Sequence, residues 1–428
     1  MEAKGLYKVF GKNPGAVVQR LRAGAERGEL SPLGTAAVID ASFTVEPGEI
    51  FVIMGLSGSG KSTLIRMLNG LLEPTAGEVV VRGRSVTRAT PGQLRQIRRE
   101  SVSMVFQHFA LLPHRTVLDN AAYALEIQGV ARQERHERAR EILEKVGLEQ
   151  WTDSYPDGLS GGMRQRVGLA RALTAGTDIL LMDEAFSALD PLIRREMQEQ
   201  LVELQQELGR TIIFITHDLN EAMFLGDRIA VMRDGRIVQL GSPEEILTDP
   251  ANDYVAQFVQ DVDRARVLTA SGVMEPTRAM CPVSAGLRGA LRILRDRQVG
   301  SLFVIENRRL LGTVTDRAVI RAIKAGKHDL REIVDGSTPT VSPDDPLTDI
   351  VERSVEHPAP LAVVDEQRRI LGIIPRVTLL AAFGNVQPTT RELPIVAPPT
   401  VPAAELHETM AALGEEADAE PVNAGGAE

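Results

Sequence analysis

The chain has 428 residues, 43% hydrophobic and 25% charged, with one cysteine and a formal net charge of −10. The length predicts two or three domains with sizeable cores, and the composition excludes collagenous and wholly disordered classes. The acidic surplus argues against a nucleic-acid binder, and a lone Cys281 excludes an intramolecular disulfide or a thiolate metal cluster.

Met1 to Phe10 lacks the apolar core of a signal peptide, which predicts a cytoplasmic chain. No apolar run approaches the ~18 residues needed to cross a bilayer, so any membrane role must come through a partner. Residues 1–265 alternate buried β-branched runs with amphipathic helical stretches, which predicts a mostly parallel α/β sheet. Its predicted strands are Glu49–Met54, Ser103–Phe106, Ile179–Met182 and Thr211–Thr216. Arg228–Met232 and Ile237–Leu240, joined through Asp234-Gly235, predict an antiparallel hairpin.

From Val273 the pattern becomes an internal repeat. Ser301–Gly312 matches Pro360–Gly372, with the final glycines 60 positions apart, and each copy is flanked by helical stretches. Two copies of one β-α-β-β-α unit, each too small to close a core alone, are expected to pack face to face over 273–385. Residues 266–272 read as a linker. Residues 386–428 hold eight acidic residues, one basic residue and six prolines, a composition that points to a disordered tail.

Gly55-Leu56-Ser57-Gly58-Ser59-Gly60-Lys61-Ser62 follows a predicted strand and opens a predicted helix, the context a phosphate-binding loop requires. Its glycines let backbone N–H groups turn inward, and the helix N-terminus adds its dipole. Lys61 is expected to reach β- and γ-phosphates, and Ser62 to ligate Mg²⁺. Ile179–Met182 ends in Asp183 and Glu184, at the strand end where ligands sit in open α/β sheets. Asp183 is expected to hold Mg²⁺ through water, and Glu184 to orient or deprotonate the attacking water. An acidic pair at a strand end is otherwise an ordinary solvated turn. His217 follows another buried strand and is a candidate γ-phosphate contact, although a lone histidine is more often structural.

Leu159-Ser160-Gly161-Gly162-Met163-Arg164-Gln165 places a Ser-Gly-Gly turn at the start of the predicted helix Met163–Leu173, a second anion-binding helix start. With Gln107 in VFQHF, Ser187-Ala188-Leu189-Asp190 and Thr216-His217-Asp218, the stretch from about Gly5 to Val259 resembles the nucleotide-binding subunits of ABC transporters. The resemblance implies an ABC-type P-loop ATPase domain that works as a head-to-tail homodimer. ATP would lie between Gly55, Ser57, Gly58, Ser59, Gly60, Lys61, Ser62 and Thr63 of one chain and Leu159, Ser160, Gly161, Gly162 and Gln165 of the other. Gln107 would join Ser62 and Asp183 around Mg²⁺, and Asp190 would form the D-loop. Phe10 is the aromatic expected to stack on adenine, with Tyr7 the alternative and core packing the ordinary explanation for both.

The insertion at 13–35, with Val17, Val18 and Leu21 among arginines, narrows the resemblance, as do the stretches FALLPHRTVLDN and LLMDEAFSALDPLIR. These resemble the ATPase subunits of glycine betaine/proline importers, which share the insertion. The C-terminal repeats resemble a tandem pair of CBS domains, so the fold class is α/β followed by an α+β pair. Gly158-Leu159 departs from the Glu-Leu usual there, while Met163 is in keeping with the subfamily. The resemblance implies a peripheral protein at the cytoplasmic face of the inner membrane, with an integral permease as partner and an extracytoplasmic solute-binding protein beyond it. Residues Phe109–Asn120 are expected to help form the groove for a permease coupling helix.

Other readings are an ATPase for a different small solute, a non-transport ABC ATPase and a CBS-based nucleotide sensor. Gly60 and Leu159 are only 99 positions apart without heptads, which argues against the second; Glu184 and His217 argue against the third. In the repeats, Thr315-Asp316 matches a ribose contact of nucleotide-binding CBS domains, whereas the second copy has Pro375-Arg376 there. At most one adenine-nucleotide site is therefore expected. Arg288, Arg292 and Arg295 fall on one helix face, a candidate contact for anionic lipid or the acidic tail, if not simply a solvated face.

Overall fold

A computed structural model describes all residues of the protein except 107–109, 188, 261, 263, 265–266, 278, 357–359, 384–400, 402–408 and 410–428. The chain divides into two compact units, Met1–Val262 and Asp263–Glu428.

The first unit holds β1 (Glu2–Gly11), β2 (Gly34–Thr44), β3 (Ile50–Met54), β4 (Ala76–Val81), β5 (Arg84–Ser85), β6 (Val102–Val105), β7 (Ile179–Asp183), β8 (Thr211–Thr216), β9 (Arg228–Arg233) and β10 (Arg236–Gly241). Six strands form a sheet ordered β10-β9-β3-β8-β7-β6, parallel except for the edge strand β10. Every residue of β3, β7 and β8 is buried, which is why these strands read as unbroken apolar runs. A second, antiparallel sheet runs β2-β1-β4-β5. Leu6 and Val79 of that sheet share one core with Phe51 and Ile53 of β3 and with Leu64 and Met67 of helix Lys61–Leu68. Phe43 stacks on Phe51 at 4.9 Å, tying β2 to β3.

The β9–β10 hairpin forms as expected. Asp234 and Gly235 take φ of 51° and 84°, the two left-handed residues that match a tight turn to strand twist. The insertion contains the helix Pro14–Arg22, capped by Asn13, which buries Val17, Val18 and Leu21 against Tyr7, Val9 and Ile39.

The second unit is the expected duplication. It contains β11 (Met280–Pro282), β12 (Ser301–Glu306), β13 (Arg309–Thr315), β14 (Thr340–Val341), β15 (Leu361–Val364) and β16 (Ile370–Ile374). The sheets β11-β12-β13 and β14-β15-β16 have the same pattern, a parallel pair and then an antiparallel one. Ala362 and Ile373 of the second copy lie in one cluster with Phe303, Val304 and Leu291 of the first, so the copies share a core.

One expectation changes here. Residues 266–272 are not a bare linker from Thr269 onward. Thr269 bridges to Pro346, the Ala270 N–H donates to the Asp345 carbonyl at 2.9 Å, and Glu275 exchanges both backbone hydrogen bonds with Ile373. The start of the first copy is thus laid against the second, and the start of the second against the first, since Asp335 exchanges both backbone hydrogen bonds with Thr313. The tail 386–428 lies outside the described residues apart from Val401 and Thr409. Both are buried, and Val401 belongs to the shared core of the repeats.

Candidate nucleotide site

β3, β8 and β7 are neighbours in the sheet, so their carboxyl ends bring three chain segments together. The loop after β3 is the glycine-rich one. Gly60, at φ 105°, caps the helix Lys61–Leu68, and a Cβ there would sit 2.1 Å from the Ala37 carbonyl oxygen. A Cβ on Gly55 would sit 2.2 Å from the Met232 carbonyl oxygen. No side chain fits at either position, so the glycines are required by space as well as by conformation. The hairpin turn buttresses the loop, since the Gly235 N–H donates to the Ser59 carbonyl at 3.0 Å.

Lys61 is 4% exposed. Its ammonium donates to the Gly55 carbonyl at 2.7 Å and to the Leu56 carbonyl at 3.2 Å, and lies 3.9 Å from Glu184 Oε1. Burial pushes its pKa down, while the Glu184 and Asp183 carboxylates pull it up. Ser59 Oγ is buried without a hydrogen-bond partner among the described residues, as suits a loop built around an anion. Ser57 and Gly58 are exposed at the loop's crest, and Thr63 is half-buried.

At the end of β7, Asp183 is 6% exposed and accepts the Ser62 hydroxyl at 3.0 Å. Burial raises its carboxyl pKa, and the Ser62 hydrogen bond works the other way. Two hard oxygen donors side by side fit Mg²⁺ better than a softer metal. Glu184 follows at φ 47°, in the left-handed region disfavoured for a residue with a side chain. The backbone is held there by its N–H on the Ile215 carbonyl and by the Ser187 hydroxyl on its own carbonyl. Its carboxylate thereby lies between Lys61 and His217, whose Nδ1 is 3.3 Å from Glu184 Oε2. Lys61, Ser62, Asp183, Glu184 and His217 therefore meet. Gln107 lies outside the described residues.

Three further segments begin helices, each with a side-chain N-cap. Ser160 accepts from the Met163 N–H at 3.3 Å, Asp190 from Ile193 at 3.1 Å and Asp218 from Glu221 at 3.2 Å. Ser160 and Gly161 are exposed, Gly162 is half-buried, and the three line a cavity of about 430 Å³ with Asp190 and Trp151. Gln165 differs from them. It is 1% exposed, on the buried helix face with Gly168, Leu169 and Ala172, and its amide has no partner among the described residues. A residue enclosed in its own subunit is not placed to contact nucleotide across a dimer. Phe10 is 46% exposed whereas Tyr7 is 5% exposed within a core cluster, so of the two only Phe10 offers an open ring.

Sequence reading passed over Glu221, Gln198 and Arg194. Asp218-x-x-Glu221 looks like an ordinary capping pair, which hides the fact that the Glu221 carboxylate turns away to Thr216 and Gln198.

A separate apolar cavity of about 420 Å³ is lined by Met104, Phe106, Ala110, Tyr123, Ile127 and Arg171, among others. Of the stretch expected at such a groove, Phe109 is outside the described residues and Ala110 lines the cavity. Asn120 is fully buried and holds the loop, its amide donating to the carbonyls of Leu112, Arg115 and Thr116.

In the repeats, Thr315 caps the helix Asp316–Lys324 and Asp316 is 0% exposed. The Asp316 carboxylate accepts the Arg317 N–H at 2.7 Å and the Val401 N–H at 3.0 Å. The expected ribose contact is therefore closed, because burial and two backbone donors already occupy that carboxylate. Arg288 and Arg292 are exposed on the helix Gly286–Arg297, and Arg295 pairs with Asp296 at 2.9 Å.

The ABC transporter family profile matches residues 38–187, and the CBS domain profile matches 270–325 and 330–385. The glycine betaine transport ATP-binding protein OpuAA of Bacillus subtilis is 50% identical over 383 residues, 88% of this chain and 91% of the relative. The glycine betaine/proline betaine transport system ATP-binding protein ProV of Salmonella typhimurium is 46% identical over 393 residues, 90% of this chain and 97% of the relative. A trimethylamine N-oxide transport system ATP-binding protein, TmoW of Ruegeria pomeroyi, is 44% identical over 327 residues, 76% of this chain and 94% of the relative. Fold and site together define an ATP-hydrolysing ABC ATPase. Within that class, the chain belongs to the ATP-binding subunits of glycine betaine/proline betaine ABC transporters.

Proposed function

We propose that two copies of this chain pair head to tail, bind Mg²⁺-ATP between them and drive import of glycine betaine or a close analogue through a permease at the cytoplasmic face of the membrane. The observation that carries this reading is the convergence of Lys61, Ser62, Asp183, Glu184 and His217 at the ends of three adjacent strands. Lys61 binds the β- and γ-phosphates, Glu184 takes a proton from the attacking water, and His217 holds the γ-phosphate in line. Ser62 and Asp183 hold the metal, with Gln107 completing the set. Mg²⁺ held there would supply positive charge to offset that developing on the phosphate oxygens. Ser160, Gly161 and Gly162 of the second copy cover the nucleotide with an exposed helix start.

No helix among the described residues is long and apolar enough to cross a membrane, so translocation needs a permease. The groove lined by Phe106, Tyr123 and Ile127 suits its coupling helix, since an exposed apolar patch marks a partner site. Ile127→Asp, a change at a 45% exposed position, is expected to abolish co-purification with the permease while leaving ATP binding by the isolated subunit intact. Retained assembly and transport in that variant would remove the groove assignment.

The solute is tested by reconstituting chain, permease and binding protein in vesicles and following uptake of labelled glycine betaine against trimethylamine N-oxide. Uptake of the N-oxide alone would overturn the choice of solute and leave the ATPase reading standing.

The exposed arginines on Gly286–Arg297 support a regulatory contact with anionic lipid, one screened over a Debye length of ~8 Å at physiological salt. A chain ending at Val262, the boundary of the first unit, is expected to transport at all internal salt concentrations, whereas the full chain switches on as salt rises. Identical salt profiles would exclude the repeats as the sensor.

A further inference from the structure

Glu221 is a buried carboxylate beside the reacting groups for which the mechanism above has no use. It is 5% exposed, and burial pushes its pKa up against the pull of two hydrogen bonds. Its oxygens accept from the Thr216 hydroxyl on one side and from Gln198 Nε2 at 3.0 Å on the other. The Thr216 hydroxyl in turn accepts the Asp218 N–H at 2.9 Å. The two residues that flank His217 in the chain are thus locked to each other and to Glu221.

The second half of the arrangement comes from the helix Pro191–Leu208, whose N-cap is Asp190. Arg194 and Gln198 are four residues apart and share one face of that helix. Gln198 reaches Glu221, while Arg194 pairs with Asp218 Oδ2 at 3.3 Å and donates to the Leu189 carbonyl at 3.1 Å. Two struts therefore join the turn at Asp190 to the turn that carries His217. A leucine would fill the Glu221 position without the cost of burying a carboxylate, so packing alone gives no reason for an acid there.

We propose that Glu221 is a positioning residue. With Gln198 and the Arg194–Asp218 pair it fixes where His217 stands relative to the turn at Leu189 and Asp190. The inference rests on the reading of His217 given above. A displacement of about 1 Å at a reacting group can cost about a hundredfold in rate, so a loosened turn affects turnover more than nucleotide binding.

The test is a double-mutant cycle in the full chain assembled with its permease in vesicles, read by single-turnover ATP hydrolysis. Glu221→Leu is expected to lower the rate by about tenfold or more with KM for ATP within about twofold, and Glu221→Gln to restore part of the loss. Gln198→Leu, at a site on a different helix, should give a smaller loss in the same direction and serves if Glu221→Leu fails to fold. In a His217→Ala background the same changes should add almost nothing, because the residue they position is gone. Equal fold-losses in both backgrounds would mean that Glu221 supports the fold alone and would overturn the inference. An inert His217→Ala would show a different pattern: the γ-phosphate reading of His217 falls, and the inference falls with it. An unchanged rate in Glu221→Leu and Gln198→Leu, with His217→Ala impaired, removes the inference and spares the mechanism.

Discussion

Glu184→Gln is expected to bind ATP, hold it in a closed dimer and lower turnover by about 10²–10⁴-fold, the range typical of a positioned general base. The substitution keeps the side chain's size, so the turn at φ 47° is retained together with the Glu184 N–H bond to Ile215. What disappears is the carboxylate between Lys61 and His217, the proposed proton acceptor. The Ser62–Asp183 pair is untouched, and metal and phosphate binding should persist. Steady-state hydrolysis by the assembled transporter, with gel filtration of the isolated subunit in ATP, measures both effects. Wild-type turnover in this variant would show that another group accepts the proton.

Lys61→Ala is expected to separate binding from stability. The ammonium is 4% exposed and its pKa is lowered mainly by burial, so the folded state bears a desolvation cost for keeping it. Removing it relieves that cost while the Gly55 and Leu56 carbonyls lose a donor. The two changes oppose each other, and the melting temperature should move by no more than about 4 °C. The phosphates of the nucleotide, in contrast, are expected to lose the Lys61 cation in a desolvated site, at a cost of about 2–5 kcal/mol, or roughly thirtyfold to several thousandfold in affinity. Titration with a fluorescent ATP analogue alongside thermal unfolding checks the pair of expectations. An affinity within about threefold of wild type would mean that the backbone N–H groups and metal carry the phosphates without Lys61.

Most of this site can be read in one dimension because its parts are local. A strand that is buried on both faces has to be apolar throughout, so the carboxylates ending Ile179–Met182 and the histidine ending Thr211–Thr216 stand out at once. Asp234-Gly235 declares its hairpin by the same locality. Glu221 and Gln198 are 23 positions apart with no spacing pattern that pairs them, and only the packing of two helices brings them together. Burial misleads in the other direction. Gln165 and Asp316 sit inside motifs that elsewhere meet ligands, but each is enclosed here by its own surroundings, and short-range sequence carries no sign of that. The second sheet, β2-β1-β4-β5, was equally hard to foresee, because its middle strands pair across more than 60 positions.

The two repeats are alike in plan, and each begins on the other. The segment from Thr269 to Glu275, where the first copy begins, is laid against Pro346, Asp345 and Ile373 of the second, and Asp335 near the start of the second is laid against Thr313 of the first. A gene that lost the second copy would leave that segment without its hydrogen bonds and the first copy's core without Ala362 and Ile373. One that lost the first would leave Asp335 without its two backbone hydrogen bonds to Thr313. The crossed connections make the pair, not either copy, the piece that can be added or removed without stranding hydrogen bonds.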